Sequence, residues 1–136
     1  MSPPLRPTVV MPDAVLWATE YLRAQLDVRP EAFTADVLVS DEVPNPREPR
    51  MVIVRRDGGR SETLFDNPRL SFRVWSPRKE DANALAAMVE ALVLAAPGHG
   101  PVIRATSESG PSKVTDESAV PLRYLVISIR TRGKQL

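Results

Sequence analysis

The stretch Arg69–Val93, RLSFRVWSPRKEDANALAAMVEALV, changes the spacing of its apolar residues halfway along. Leu70, Phe72 and Val74 alternate with Arg69, Ser71 and Arg73, the two-residue period of a strand with one face inward and one outward. Beyond it Ala82, Leu85, Ala86, Val89, Leu92, Val93 and Ala96 recur at steps of three and four, the period of a helix. Between them Ser76-Pro77 reads as an N-cap followed by proline at the first helical position, with Glu80 and Asp81 favourable to the helix dipole. The run PGHGP from Pro97 stops the helix, and small alanines beside leucines allow it to lie close on a sheet.

Working toward the N-terminus, PDAVLWATEYLRAQLD from Pro12 to Asp27 places Val15, Ala18, Leu22 and Leu26 on one helical face, with Pro12 in the first turn. Trp17 and Tyr21 form a second stripe beside that face, which reads either as a broad core face or as an aromatic pair turned to a partner. AFTADVLVS alternates Phe33, Ala35, Val37 and Val39 as a half-buried strand, and RMVIVRR is a β-branched run. Asp57-Gly58-Gly59 supplies the positive-φ positions of a tight hairpin, with RSETLF expected as the return arm. Toward the C-terminus a strand VIRATSE precedes a polar loop around Gly110-Pro111. LRYLVISIRT follows, with Leu125, Ile127 and Ile129 on one face.

This order predicts an α+β fold: an antiparallel or mixed sheet of about five strands with two helices packed on one face, in the order α-β-β-β-α-β-β. The other face, with Tyr124, Val126 and Ser128 among arginines, reads as too apolar to be purely solvated and too charged for a second core: either a face or edge that meets another subunit, or a solvated face with a few apolar residues. With 136 residues and 43% hydrophobic content, a single domain spanning 1–136 is expected. Prolines number fourteen, about twice the usual share. They predict an extended N-terminal arm over 1–11 and a stiff connector over 41–50, neither part of the core.

Eighteen basic and seventeen acidic residues leave a net charge of +1, so no global field recommends nucleic acid or an anionic membrane. The absence of cysteine removes thiolate chemistry and cysteine-ligated zinc, and no run of eighteen apolar residues or signal-like leader is present, so a soluble protein made in a cytoplasm is expected. The single histidine, His99, stands in a glycine turn with no partner at metal or triad spacing. Asp41-Glu42, Glu80-Asp81 and Asp116-Glu117 read as solvated surface. SESGPSK lacks the glycine spacing of a phosphate loop, and Pro111 removes an N–H that such a cradle needs. No catalytic residue, metal or cofactor is expected. Arg130, Arg132 and Lys134 read as a frayed basic tail.

Four segments taken together resemble the tail terminator proteins of long-tailed, siphovirus-type phages, in particular those of phages infecting actinobacteria. They are MPDAVLWATEYLRAQL, VIVRRDGG, the opening strand-to-helix stretch, and SGPSKVTDESAVPLRYLVISIRTRG, and they span about Pro12 to Gly133. The resemblance implies a virion protein at the tail-neck junction: a ring, usually a hexamer, that caps the tail tube, halts its polymerisation and serves head-tail joining. Its partners would be copies of itself, the tail tube protein and a neck or head-completion protein, with DNA passing through the ring unrecognised and no membrane involved. By position, the resemblance puts subunit contacts at Arg56, Asp116, Arg123 and Tyr124, with Trp17 and Tyr21 as a second choice. DEVPNPREPR departs from the family's shorter connector. Two other functions stay open on the residues: a neck or head-completion protein joining portal to tail, and a small nucleic-acid-binding module using Arg55, Arg56, Arg73 and the basic tail.

Overall fold

A computed structural model describes residues 2 and 6–136. The elements, in chain order, are β1 (Val9–Val10), α1 (Ala14–Asp27), a 3-10 turn (Ala32–Thr34), β2 (Leu38–Ser40), β3 (Met51–Arg56), β4 (Phe65–Asp66), β5 (Arg69–Trp75), α2 (Lys79–Leu94), β6 (Val102–Val114), β7 (Leu122–Arg132) and β8 (Lys134–Gln135). β2, β3, β5 and β7 lie side by side. β4 joins the end of β7 on the side of β5, and β6 pairs with β7 on its other side. Among the described residues only β2 runs parallel to its neighbour, so the six-stranded sheet is mixed and the fold is α+β, as the pattern of elements predicts.

Both helices cover one face of this sheet. Leu22 and Leu26 of α1 and Leu85, Val89 and Val93 of α2 pack on Val52 and Val54 of β3, Leu70, Phe72 and Val74 of β5, and Leu125, Ile127 and Ile129 of β7. These are the inward positions that the two sequence periods select. Fully burying one such side chain contributes about 1.5–3 kcal/mol, so this layer dominates the stability.

Helix α1 starts at Ala14 rather than at Pro12, because Asp13 is the N-cap: its carboxylate accepts the Leu16 N–H at 3.0 Å. Helix α2 starts at Lys79 with Arg78 as N-cap and no side-chain cap, so Ser76-Pro77 does not begin it. Ser76 instead extends the sheet, its N–H donating to the Pro121 carbonyl at 3.3 Å, and is fully buried.

The expected strand over 32–40 is shorter. Thr34 folds back, its hydroxyl donating to the Glu31 carbonyl at 2.7 Å, and Asp36 adopts a φ of 53°. Arg50 then ties the turn by donating to the Ala32 and Ala35 carbonyls. Phe33 and Val37 still pack on the core, and so mimic the alternation of a strand.

The return arm of β3 is β5, not RSETLF. Asp57 N–H donates to the Arg69 carbonyl at 2.7 Å and Arg69 N–H to the Gly58 carbonyl at 3.2 Å, which leaves residues 57–68 as a wide loop. Gly58 and Gly59 do have positive φ. A Cβ on Gly59 would collide with the Asn67 carbonyl, so the loop closes only over glycine.

The polar stretch before the last strand is mostly strand itself. β6 runs through Gly110-Pro111 to Val114, with register shifts against β7 at three places, and the true loop is 115–121. Proline and irregular pairing are tolerated there because β6 is an edge strand.

The second face does carry a small core, against the expectation that it is too charged for one, and the connector is not outside the core. Met51, Ile53, Trp75 and Leu122 form a smaller buried cluster on that face, covered by Val43 of the connector and Val120 of the last loop. Ser71 and Val126, expected outward, are buried on the same side. The basic tail is not frayed: β8 pairs antiparallel with β1 as a two-stranded ribbon, and Leu136 N–H donates to the Thr8 carbonyl at 2.9 Å. The N-terminal arm is therefore half of a ribbon over residues 9–10.

Candidate subunit-contact surfaces

Arg56, at the end of β3, meets Asp66 of β4 as a bidentate pair, Nη1 to Oδ2 at 2.6 Å and Nη2 to Oδ1 at 2.8 Å, and its Nε donates to the Gly58 carbonyl. Asp66 is 1% exposed and also accepts from the Ser61 hydroxyl and the Asn67 N–H. The hydrogen bonds from Arg56, ahead of those from Ser61 and Asn67, hold the Asp66 carboxyl below the usual carboxylate range. This pair closes the 57–68 loop, and Arg130 finishes it by lying 4.4 Å over the Phe65 ring and 3.3 Å from Glu62. Arg56 is thus held inside its own subunit.

Asp116 opens the 115–121 loop. One of its oxygens accepts from the Trp75 indole at 3.0 Å and from the Ser118 hydroxyl, and lies 3.6 Å from Arg47 of the connector. Arg47 also sits 5.1 Å over the Trp75 ring. The Ser118 contact first, then Trp75 and Arg47, lower the Asp116 pKa. Asp116 therefore clasps three segments far apart in sequence: the connector, the end of β5 and the last loop.

Arg123 and Tyr124 point to opposite faces of β7. Arg123 is 7% exposed beneath α2, donating from Nε to Asn83 at 2.6 Å, and nothing in that geometry offers it to a neighbour. Tyr124 is half-buried on the second face. Its hydroxyl donates to Asp57 at 3.2 Å, and the Arg73 guanidinium lies 5.2 Å from its ring. Arg73 is placed there by the cross-strand register of β5 and β7, in which it faces Tyr124 directly.

Trp17 and Tyr21 stack at 5.0 Å, and His99 meets Tyr21 edge-on at 5.4 Å. The Tyr21 hydroxyl donates to the Leu92 carbonyl near the end of α2 at 2.6 Å, which ties the two helices together. Both aromatic rings pack against the main core while remaining partly accessible.

The six positions do not form one surface. They divide into the 57–68 loop, the Asp116 clasp, Arg123 beneath α2, the Arg73–Tyr124 face and the helix-helix seam. The sequence reading missed Asp66, Arg47 and Trp75 as partners. The Phe65-Asp66-Asn67-Pro68 turn was the signal available for Asp66, whereas nothing local links Arg47 to Asp116.

No protein-family model matches the chain, and no curated protein matches it in sequence. Among solved structures it is similar to a chain in the virion of a native gene transfer agent particle, with a TM-score of 0.65 and 20% sequence identity, over 90% of this chain and 100% of that one. At this identity the likeness shows a shared fold.

Proposed function

We propose that this chain is a structural protein of a phage-type virion, and specifically a tail terminator: a ring of identical subunits that caps the tail tube, stops its polymerisation and presents a surface for joining the head. The observation that carries the reading is the fold shared with a virion chain over that chain's entire length. The resemblance of four segments between about Pro12 and Gly133 to tail terminators supports the finer assignment.

The structure is compatible with such a role. A closed ring needs two different patches per subunit, each meeting the other on a neighbour. A rigid sheet with helices on one face can carry them without rearrangement of the core.

Purified protein mixed with tail tubes and imaged at low resolution tests the proposal. The expected result is a ring seated on tube ends and an arrest of tube lengthening. Binding to portal-side protein with no binding to tubes would favour the head-completion reading instead.

A further inference from the structure

We propose that two patches on either side of the start of α1 are the two halves of a head-to-tail contact between copies of this chain. This rests on the ring reading and names the surfaces the ring would use.

The first patch is the β1–β8 ribbon. Val10 is 51%, Leu64 51% and Leu136 79% exposed, and they line two shallow grooves of about 350 and 250 Å³ on the flanks of the ribbon. Arg132 lines both grooves and Lys134 one of them. Both cations are exposed, and neither joins an ion pair among the described residues. This is an apolar surface with a basic rim.

The second patch is a groove of about 260 Å³ between α1 and the end of β2, lined by Val15, Leu16 and Asp41 among others. Leu16, on its lining, is 52% exposed. Asp41 and the following Glu42 are exposed and form no ion pair among the described residues. Arg23, which also lines the groove, is held by the Val39 carbonyl at 2.8 Å. This is a largely polar groove with one exposed leucine, Leu16, and an acidic rim.

Met11 and Pro12 line the ribbon groove and Asp13 the acidic groove, so the two patches adjoin across the start of α1. Patches of opposite charge suit a contact in which the basic patch of one copy meets the acidic patch of the next, and such a heterologous contact repeats around a ring. A two-fold contact of the ribbon with itself would set Arg132 and Lys134 against like charges. Strand-to-strand extension through β6 is disfavoured by its irregular register and by Pro111.

The absence of cysteine makes the test clean. Leu16→Cys and Leu136→Cys proteins are made separately, then oxidised alone and as a mixture, under conditions where native mass spectrometry shows the wild type to be oligomeric. The expected result is a disulfide-linked dimer in the mixture and none in either protein alone. Arg132→Glu with Lys134→Glu should lose the oligomer, and adding Asp41→Lys with Glu42→Lys to the same chain should restore it. Oligomers that give no cross-link in the mixture, or that cross-link equally well from Leu136→Cys alone, overturn the contact but leave the ring reading standing. A wild type that stays monomeric with and without tail tubes overturns both.

Discussion

The Trp75 indole donates to the Asp116 carboxylate at 3.0 Å across 41 residues of sequence, and this bond fastens the last loop to the end of β5. Trp75 is 4% exposed, so its N–H has little access to water once the acceptor is removed. Asp116→Ala should therefore destabilise the subunit by about 1–3 kcal/mol, the range for orphaning a buried donor. Arg47→Ala, which removes a well-exposed ion pair and the guanidinium over the Trp75 ring, should cost less, about 1 kcal/mol. Urea unfolding of the two variants gives the comparison, and equal losses would contradict it.

Among the described residues Asp66 is the most deeply buried carboxylate in an ion pair. Asp66→Ala strips the part-exposed Arg56 of its bidentate partner and the Ser61 hydroxyl and Asn67 N–H of an acceptor, and should destabilise by about 1–3 kcal/mol. Chemical denaturation followed by circular dichroism measures it.

The same group gives a pH dependence. Its pKa is lowered in the folded state, so the stability it contributes is fully present above the unfolded carboxylate pKa of about 4 and is lost as the pH falls through the folded value. Asp116 acts in the same direction. Stability should fall below about pH 4, and an Asp66→Asn protein should show a flatter acid limb in pH-dependent thermal melts.

Tyr21 ties α1 to α2 through one hydrogen bond to the Leu92 carbonyl. Tyr21→Phe keeps the stacking on Trp17 and removes only that bond, so a loss of about 1 kcal/mol is expected. Thermal unfolding checks this. A loss several times larger would show that the hydroxyl does more than join the helices.

The main layer was legible because burial there follows local period: Leu70, Phe72 and Val74 alternate, and Leu85, Val89 and Val93 step by three and four. The errors fall where a partner distant in sequence decides. Ser76 looks like a helix cap until Pro121 receives its N–H, and Asp57-Gly58-Gly59 looks like a tight hairpin until Arg69 takes both ends. The second cluster was invisible because Val43 and Val120 are isolated apolar residues in loops, recruited only when those loops fold over Trp75. The same reason hid the site partners. Arg56 and Asp116 are subunit contacts only by position in the resemblance, and Asp66 and Trp75 engage them inside the subunit.

The central claim is that this chain forms a ring that ends a tail tube. Electron microscopy of growing tail tubes with and without the purified protein tests it most directly. The account predicts tubes of arrested length with a ring of subunits on one end. Tubes that lengthen unchanged, with no protein at their ends, would contradict it.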